Sequence, residues 1–269
     1  MKMHVPPVIE LARQSGLSVR QPEKARDPVF LDFVESLQPD LGVVVAYGKI
    51  LSTRLLAIPS HGFINVHGSL LPKYRGAAPI QRAIEAGESV TGVSIMKVDE
   101  ELDHGPVFAT EQTAIRPDDH SFHVAERLAL SGASLLRKVI DEIESGRAVA
   151  REQDHANATL APKISREQAR VSWTDPARSL YNRWRAFDPW PGLFTSIANE
   201  DVKLSELSVI EDPRSSSPGT ILDISSSGLD VSTGDGRLRI GTLQRPGRKS
   251  VSASLAAHDL GLGPGDTLR

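Results

Sequence analysis

The sequence predicts an α/β fold: a Rossmann-like, mostly parallel sheet followed by a small OB-like β-barrel. Three observations lead there. Up to Gly146, apolar runs of strand length alternate with segments of helical periodicity. Beyond Leu160, the apolar runs become short, closely spaced and separated by turn residues. Between the two, Arg147 to Leu160 is polar and irregular. The expected organisation is an N-terminal domain over residues 1–146, a linker over 147–160 and a C-terminal β-domain over 161–269.

Taken in order, Val8 to Ala12 has apolar residues at helical spacing, and Gly16 stops it. Pro28 opens a second helix from its first turn. Leu41 to Tyr47 is almost continuously apolar, the pattern of a strand buried on both faces of a parallel sheet. A helical stretch around Lys49 to Ala57 leads to a strand over Gly62–His67, and strand-helix-strand implies a parallel pair with a right-handed crossover. Pro79 to Ala86 reads as a helix ended by Gly87. Thr91–Val98 and Val107–Ile115 read as two strands. Val124, Leu128, Leu135, Val139 and Ile143 mark one face of a long helix, with Asp118 and Asp119 placed to cap it and Gly146 to close it. In the second half, strands are expected at Leu193–Ile197, Val202–Ile210, Gly219–Ile224, Leu229–Ser232 and Leu238–Leu243. Turns are expected at Asn199–Asp201 and Gly234–Gly236, and the serine runs 215–217 and 225–227 read as loops.

Composition narrows the class. The chain has 269 residues, 39% hydrophobic and 24% charged, which suits a soluble globular protein. No apolar run is long enough to span a membrane, and Met1 to Pro7 lacks the apolar core of a secretory signal. Cysteine is absent, which excludes disulfides and thiolate metal sites and fits a cytoplasmic location. A net charge of -3 argues against non-specific coating of nucleic acid, though not against a local patch. Arg237, Arg239, Arg245, Arg248 and Lys249 form one such basic cluster, for which a solvated face is an equal reading.

The chemistry-bearing candidates are Asn65, His67 and Asp103. Asn65 and His67 lie two apart on a strand, so they share a face, with Cα atoms roughly 7 Å apart. They stand at the strand's carboxyl end, where open α/β sheets bind ligands. The following loop, Gly68 to Pro79, mixes glycines, prolines, two cations and the apolar Leu70 and Leu71. Asp103 lies in the connection between the next two strands. A carboxylate beside an imidazole orients it, and an Asn amide donates to a developing oxyanion. Such a set suits acyl transfer to an external amine with no Ser or Cys nucleophile. Residue types and spacing alone leave a structural polar pair as the commoner alternative. Metal binding by some of His61, His67, Asp99, Asp103 and His104 fits no ligand spacing motif.

A resemblance adds to this. Asn65-Val66-His67-Gly68-Ser69-Leu70-Leu71-Pro72, then Arg75-Gly76-Ala77-Ala78-Pro79-Ile80-Gln81, resembles the signature of the folate-dependent formyltransferases, in particular the methionyl-tRNA branch. Val44 to Gly48 matches the preceding strand. Ala161–Ile164, Trp173, Phe187–Gly192, Pro218–Ile221 and Thr233–Gly236 resemble the C-terminal, tRNA-associated domain. The resemblance implies that Asn65 binds the formyl oxygen, that His67 assists proton transfer and that Asp103 sets its protonation. It implies folate contacts from Ser69, Leu70, Leu71 and Pro72, with 10-formyltetrahydrofolate as donor, initiator methionyl-tRNA as acceptor and no metal. Lys73, Tyr74 and Arg75 are candidates for the tRNA end, while Trp184 and Trp190 read as packing residues. A monomer is expected.

Three departures accompany the resemblance. The family opens with a strand, a Phe-x-Gly-Thr-Pro turn, a helix and a second strand that have no counterpart here. The reading adopted is that Met1 is an internal methionine of a longer gene product, rather than the start of a truncated one. The lack of that unit would leave an exposed edge beside Leu41–Tyr47. Near Asp103, Glu101 replaces a Gly and His104 a small hydroxyl residue. The competing functions are a related transferase with another amine acceptor and an inactive truncated binding remnant.

Overall fold

The computed structural model describes residues 5–211 and 216–268; Met1 to His4 and Ser215 of the first serine run lie outside them. The N-terminal half comprises α1 (Pro7–Gln14), α2 (Pro28–Ser36), β1 (Gly42–Val45), α3 (Thr53–Leu56), β2 (Phe63–His67), α4 (Pro79–Glu85), β3 (Val90–Lys97), β4 (Val107–Ala114) and α5 (Ser121–Glu144). The C-terminal half comprises α6 (Ala177–Phe187), β5 (Leu193–Ile197), β6 (Glu200–Ile210), β7 (Ile221–Ser225), β8 (Gly228–Ser232), β9 (Arg237–Gln244), β10 (Val251–Ser252) and α7 (Ala253–Asp259).

The first sheet has the order β1-β2-β3-β4. β1 and β2 form the expected parallel pair, with Val44 opposite Asn65. The sheet as a whole is mixed rather than mostly parallel, because β2–β3 and β3–β4 are antiparallel. Burial explains why sequence does not reveal this. Thr91 to Met96 is buried on both faces, as in a parallel strand. The cover comes from α5, whose Gly132 sits against Val66 and Val93, and from Leu70, which lies on Gly92. β1 departs from expectation too. It lies at the sheet edge, as expected beside Leu41–Tyr47, but it is not buried on both faces, since Val43 and Val45 are exposed. Leu31 and Leu55 build a small satellite core beneath it, separate from the main one.

α5 caps differently from the expected way. His120 precedes it, and its backbone N–H donates to His123 Nδ1 at 3.1 Å. Asp119 instead accepts from the Arg116 backbone and pairs with Arg127. Gly146 ends the helix with φ +68.

The second sheet is antiparallel, in the order β5-β6-β9-β8-β7 with β10 on β9. Among the described residues it does not close into a barrel. Its edges are covered by other chain segments: Arg170 bridges to Phe194 on β5, and Thr220 just before β7 bridges to Thr267. Helices α6 and α7 carry no counterpart in the sequence reading. Leu180, Trp184 and Phe187 at helical spacing signal α6 in retrospect, and the Ser252 cap signals α7.

The two halves share one continuous hydrophobic core. Arg183 ties them together on the α4–α6 side, holding Glu85 at 3.3 Å and Asp175 at 3.1 Å. Among the described residues, no helix is long and apolar enough to cross a membrane.

Candidate active site

β2 delivers Asn65 and His67 to one place, and the β3–β4 connection brings Asp103 to them. Asn65 Nδ2 lies 3.4 Å from Asp103 Oδ1, and His67 Nδ1 lies 3.6 Å from Asp103 Oδ2. His67 is nearly fully buried. Its Nε2 is 2.9 Å from the Tyr74 carbonyl, which only accepts, so Nε2 carries hydrogen. The ring is thereby held with Nδ1 turned to the carboxylate. Asp103 Oδ2 also accepts from the Gly76 backbone N–H at 2.8 Å. One carboxylate thus joins the strand end to the signature loop. The contacts to Asn65 and His67 are long, which leaves donor capacity for a substrate.

The backbone at Asp103 is unusual, with φ +47. A left-handed non-glycine residue costs about 1 kcal/mol or more, and such residues gather at functional sites. Glu101, where the family has Gly, needs no positive φ; Asp103 takes the turn instead. Gly105 is required because a Cβ there would stand 2.1 Å from the Lys97 carbonyl oxygen. His104 pairs with Asp99 at 2.8 Å and stacks on His155 with ring centroids 4.1 Å apart.

The signature loop splits into inner and outer members. Ser69 is buried, its hydroxyl donating to the Lys73 carbonyl at 2.5 Å. Leu70 packs on Gly92. Leu71 and Pro72 line an open cavity of about 370 Å³ with Phe108 and Gln153. Asn65, His67 and Asp103 are not in that lining. Arg75 is buried, bonded to Gln153 Oε1 at 2.7 Å and to His155 at 2.9 Å, so it is not displayed to a large partner. Tyr74 donates to Glu88 at 2.9 Å, and burial, helped by that carboxylate, pushes its phenol up to about 12. Lys73 is exposed and 3.6 Å from Glu88. Thr159 accepts from the Tyr74 N–H and Ala161 donates to the Arg75 carbonyl, so the segment after Arg147 runs along the loop as a frame. Gln153, His155 and Thr159 were not legible as site residues, since polar irregular sequence carries no periodic signal.

Residues 2–140 match the formyl transferase family, and residues 163–259 match the formyl transferase C-terminal domain. The chain belongs to the formyl transferase family. It is therefore an enzyme, a one-carbon group transferase. A methionyl-tRNA formyltransferase of Trichlorobacter lovleyi is 40% identical over 97% of this chain and 83% of its own length. One from Myxococcus xanthus is 43% identical over 96% and 83%. Among solved structures, the sugar 3N-formyl transferase WlaRD, crystallised with dTDP and 5-N-formyl-THF, has a TM-score of 0.67. It is 16% identical and covers 90% of this chain and 82% of its own, a likeness of fold.

Elsewhere in this formyl transferase, two motif regions make structural contacts, while Arg248 and Lys249 of the basic cluster are exposed. Of the basic cluster, Arg239 is closed on Asp230 at 2.6 Å and Arg245 on Glu200 at 2.8 Å, and Arg237 is buried. Phe187–Gly192 docks the halves: Asp188 holds His120 at 2.9 Å and accepts from Ser121 at 2.7 Å. Trp184 packs edge-on to His120, whereas Trp190 is 63% exposed and is not a packing residue. No group of three or more His, Asp, Glu or Cys among the described residues is arranged to hold a metal ion.

Proposed function

We propose that the chain transfers a formyl group from 10-formyltetrahydrofolate to the α-amino group of methionine esterified to initiator tRNA, for translation initiation in the cytoplasm. The convergence of Asn65, His67 and Asp103 at the end of β2 supports this most directly. The names of the relatives at 40% and 43% identity support the acceptor.

The neutral amine attacks the formyl carbon. A C–N bond forms, the carbonyl oxygen gains negative charge, and the bond to folate N10 then breaks. Asn65 donates to the oxyanion from its amide, and His67, whose Nε2–H is held by the Tyr74 carbonyl, turns Nδ1 towards Asp103 and the reacting groups. Asp103 keeps His67 oriented. The proton lost by the attacking amine leaves towards the His67–Asp103 pair, and N10 of the departing tetrahydrofolate regains one. In this reading Leu71 and Pro72 meet the folate with side chains, and the inward-turned Ser69 and Leu70 with backbone. No step needs a metal. Residues 1–146 act as the catalytic domain, 147–160 as the linker and 161–269 as the tRNA-associated domain, in a monomer.

Labelled donor mixed with charged initiator tRNA, uncharged tRNA and an amino-sugar nucleotide tests the acceptor. Formyl label appearing on methionine alone is the expected result. Label on the amino sugar alone overturns it.

A further inference from the structure

Gln153 belongs to the segment between the two domains, yet its side chain is buried against the turn that bears Asp103. Its carboxamide is engaged on both sides. Nε2 donates to the Asp103 carbonyl at 2.9 Å and to the Gly105 carbonyl at 2.7 Å. Oε1 accepts from Arg75 Nε at 3.2 Å and Nη2 at 2.7 Å. The two carbonyls bracket His104, so one amide group fixes both ends of the turn. Arg75 fixes the amide in turn, and its own backbone is paired with the frame at Thr159 and Ala161.

This clamp sits where the backbone needs one. Asp103 is left-handed, and its carboxylate meets Asn65 and His67 only at 3.4 and 3.6 Å. The Gly76 N–H grips the carboxylate but not the turn behind it. A small rotation of that turn would swing Oδ1 and Oδ2 away from β2.

We infer that Gln153 is a positioning residue for formyl transfer, holding the Asp103 turn so that the carboxylate faces His67 and Asn65. The inference rests on the catalytic reading of Asp103 given above. Gln153 acts on the reaction through the backbone of Asp103, to whose carbonyl its amide donates. A glutamine that served packing alone would lower the folded fraction and leave the folded enzyme's turnover intact. A positioning glutamine lowers kcat in fully folded enzyme and leaves KM alone.

Two substitutions in the full chain separate these. Gln153→Glu keeps the shape and the acceptor for Arg75 but sets a carboxylate oxygen against two carbonyls. Gln153→Leu removes donors and acceptor together. Glu144→Gln, at the exposed end of α5, is the control. In both Gln153 variants kcat is expected to fall about ten- to hundredfold, with KM for donor and tRNA within about twofold, as for a displaced reacting group. Tm of Gln153→Glu is expected within about 4 °C of the parent. Unchanged kcat in Gln153→Glu overturns the inference, and so does a Gln153→Glu protein that fails to fold. Asp103→Asn is run alongside. If Asp103→Asn turns over normally, the catalytic reading itself fails. If Asp103→Asn is inactive while Gln153→Glu is normal, only the role of Gln153 fails.

Discussion

On the second sheet, Asp230 of β8 closes on Arg239 of β9 through two bonds of 2.6 and 2.9 Å, and its hydrogen-bonding capacity is spent there. At the end of β2 on the first sheet, Asp103 accepts one close bond, from the Gly76 N–H at 2.8 Å, and faces the Asn65 and His67 side chains only at 3.4 and 3.6 Å, so its side-chain partners are not closed on it. Both carboxylates are withdrawn from solvent. Closed geometry serves stability, because a buried charge needs its partners. Open geometry keeps donors and acceptors available to a group that arrives later. On the proposed reading, the closed carboxylate is structural and the open one is chemical.

The contrast breaks most visibly through turnover. Asn65→Ala, His67→Ala and Asp103→Asn are each expected to lower kcat by roughly a hundred- to a thousandfold. Thermal unfolding should barely move, and a large drop in Tm with turnover per folded molecule retained would place these residues in the structural class instead.

Asp230→Ala should do the reverse. It strips the buried partner from Arg239 and is expected to cost about 3 kcal/mol in urea unfolding, with kcat of the folded fraction unchanged. Unaltered urea stability would show that closure is not what holds this sheet.

The first domain holds a closed pair of its own, Asp119 with Arg127. Asp119 is opposed by burial, yet bonds from Arg127 and the Arg116 backbone overcome it and hold its carboxyl below the usual range. A folded-state value below the unfolded one means stability present above about pH 3.9 and lost as pH falls through the folded value. Asp119→Asn should therefore cost on the order of 1 kcal/mol at neutral pH and flatten the acid-unfolding curve below about pH 4. An unchanged acid limb would mean the pair adds nothing. Its effect belongs with that of Asp230, so closure rather than location sets the role.

The smallest effect is expected at Tyr74, which adjoins the site but is closed on Glu88. Burial, helped by Glu88, pushes its phenol up to about 12 from the ordinary value of about 10, so its contribution to stability is present below about 10 and fades as pH rises towards that raised value. Tyr74→Phe should remove a high-pH phenolate step from the absorbance titration and change kcat by less than about twofold. A large loss of kcat would move Tyr74 into the open, chemical class.

Most elements were legible because they obey a period: α5 by its apolar face, β2 and β9 by their apolar runs, α4 by its opening proline and closing glycine. Asn65 and His67 were legible for the same reason, since strand alternation fixes a shared face. The direction of β3 was not, because burial on both faces looks the same in parallel and antiparallel strands. The exposed edge at Leu41–Tyr47 was expected, but the exposed faces of Val43 and Val45 were not, because a continuous apolar run reads as burial on both sides. Asp103 was placed by a motif, but its left-handed turn and its anchor on Gln153 are properties of chain segments 50 residues apart. Such pairings leave no mark in local sequence.

The most direct test of open geometry as chemistry is single-turnover formyl transfer to charged initiator tRNA by the parent and by Asp103→Asn, with both substrates saturating. The account expects the variant to bind both substrates as the parent does and to form product at least about a hundredfold more slowly. Equal rates in the two proteins would contradict it.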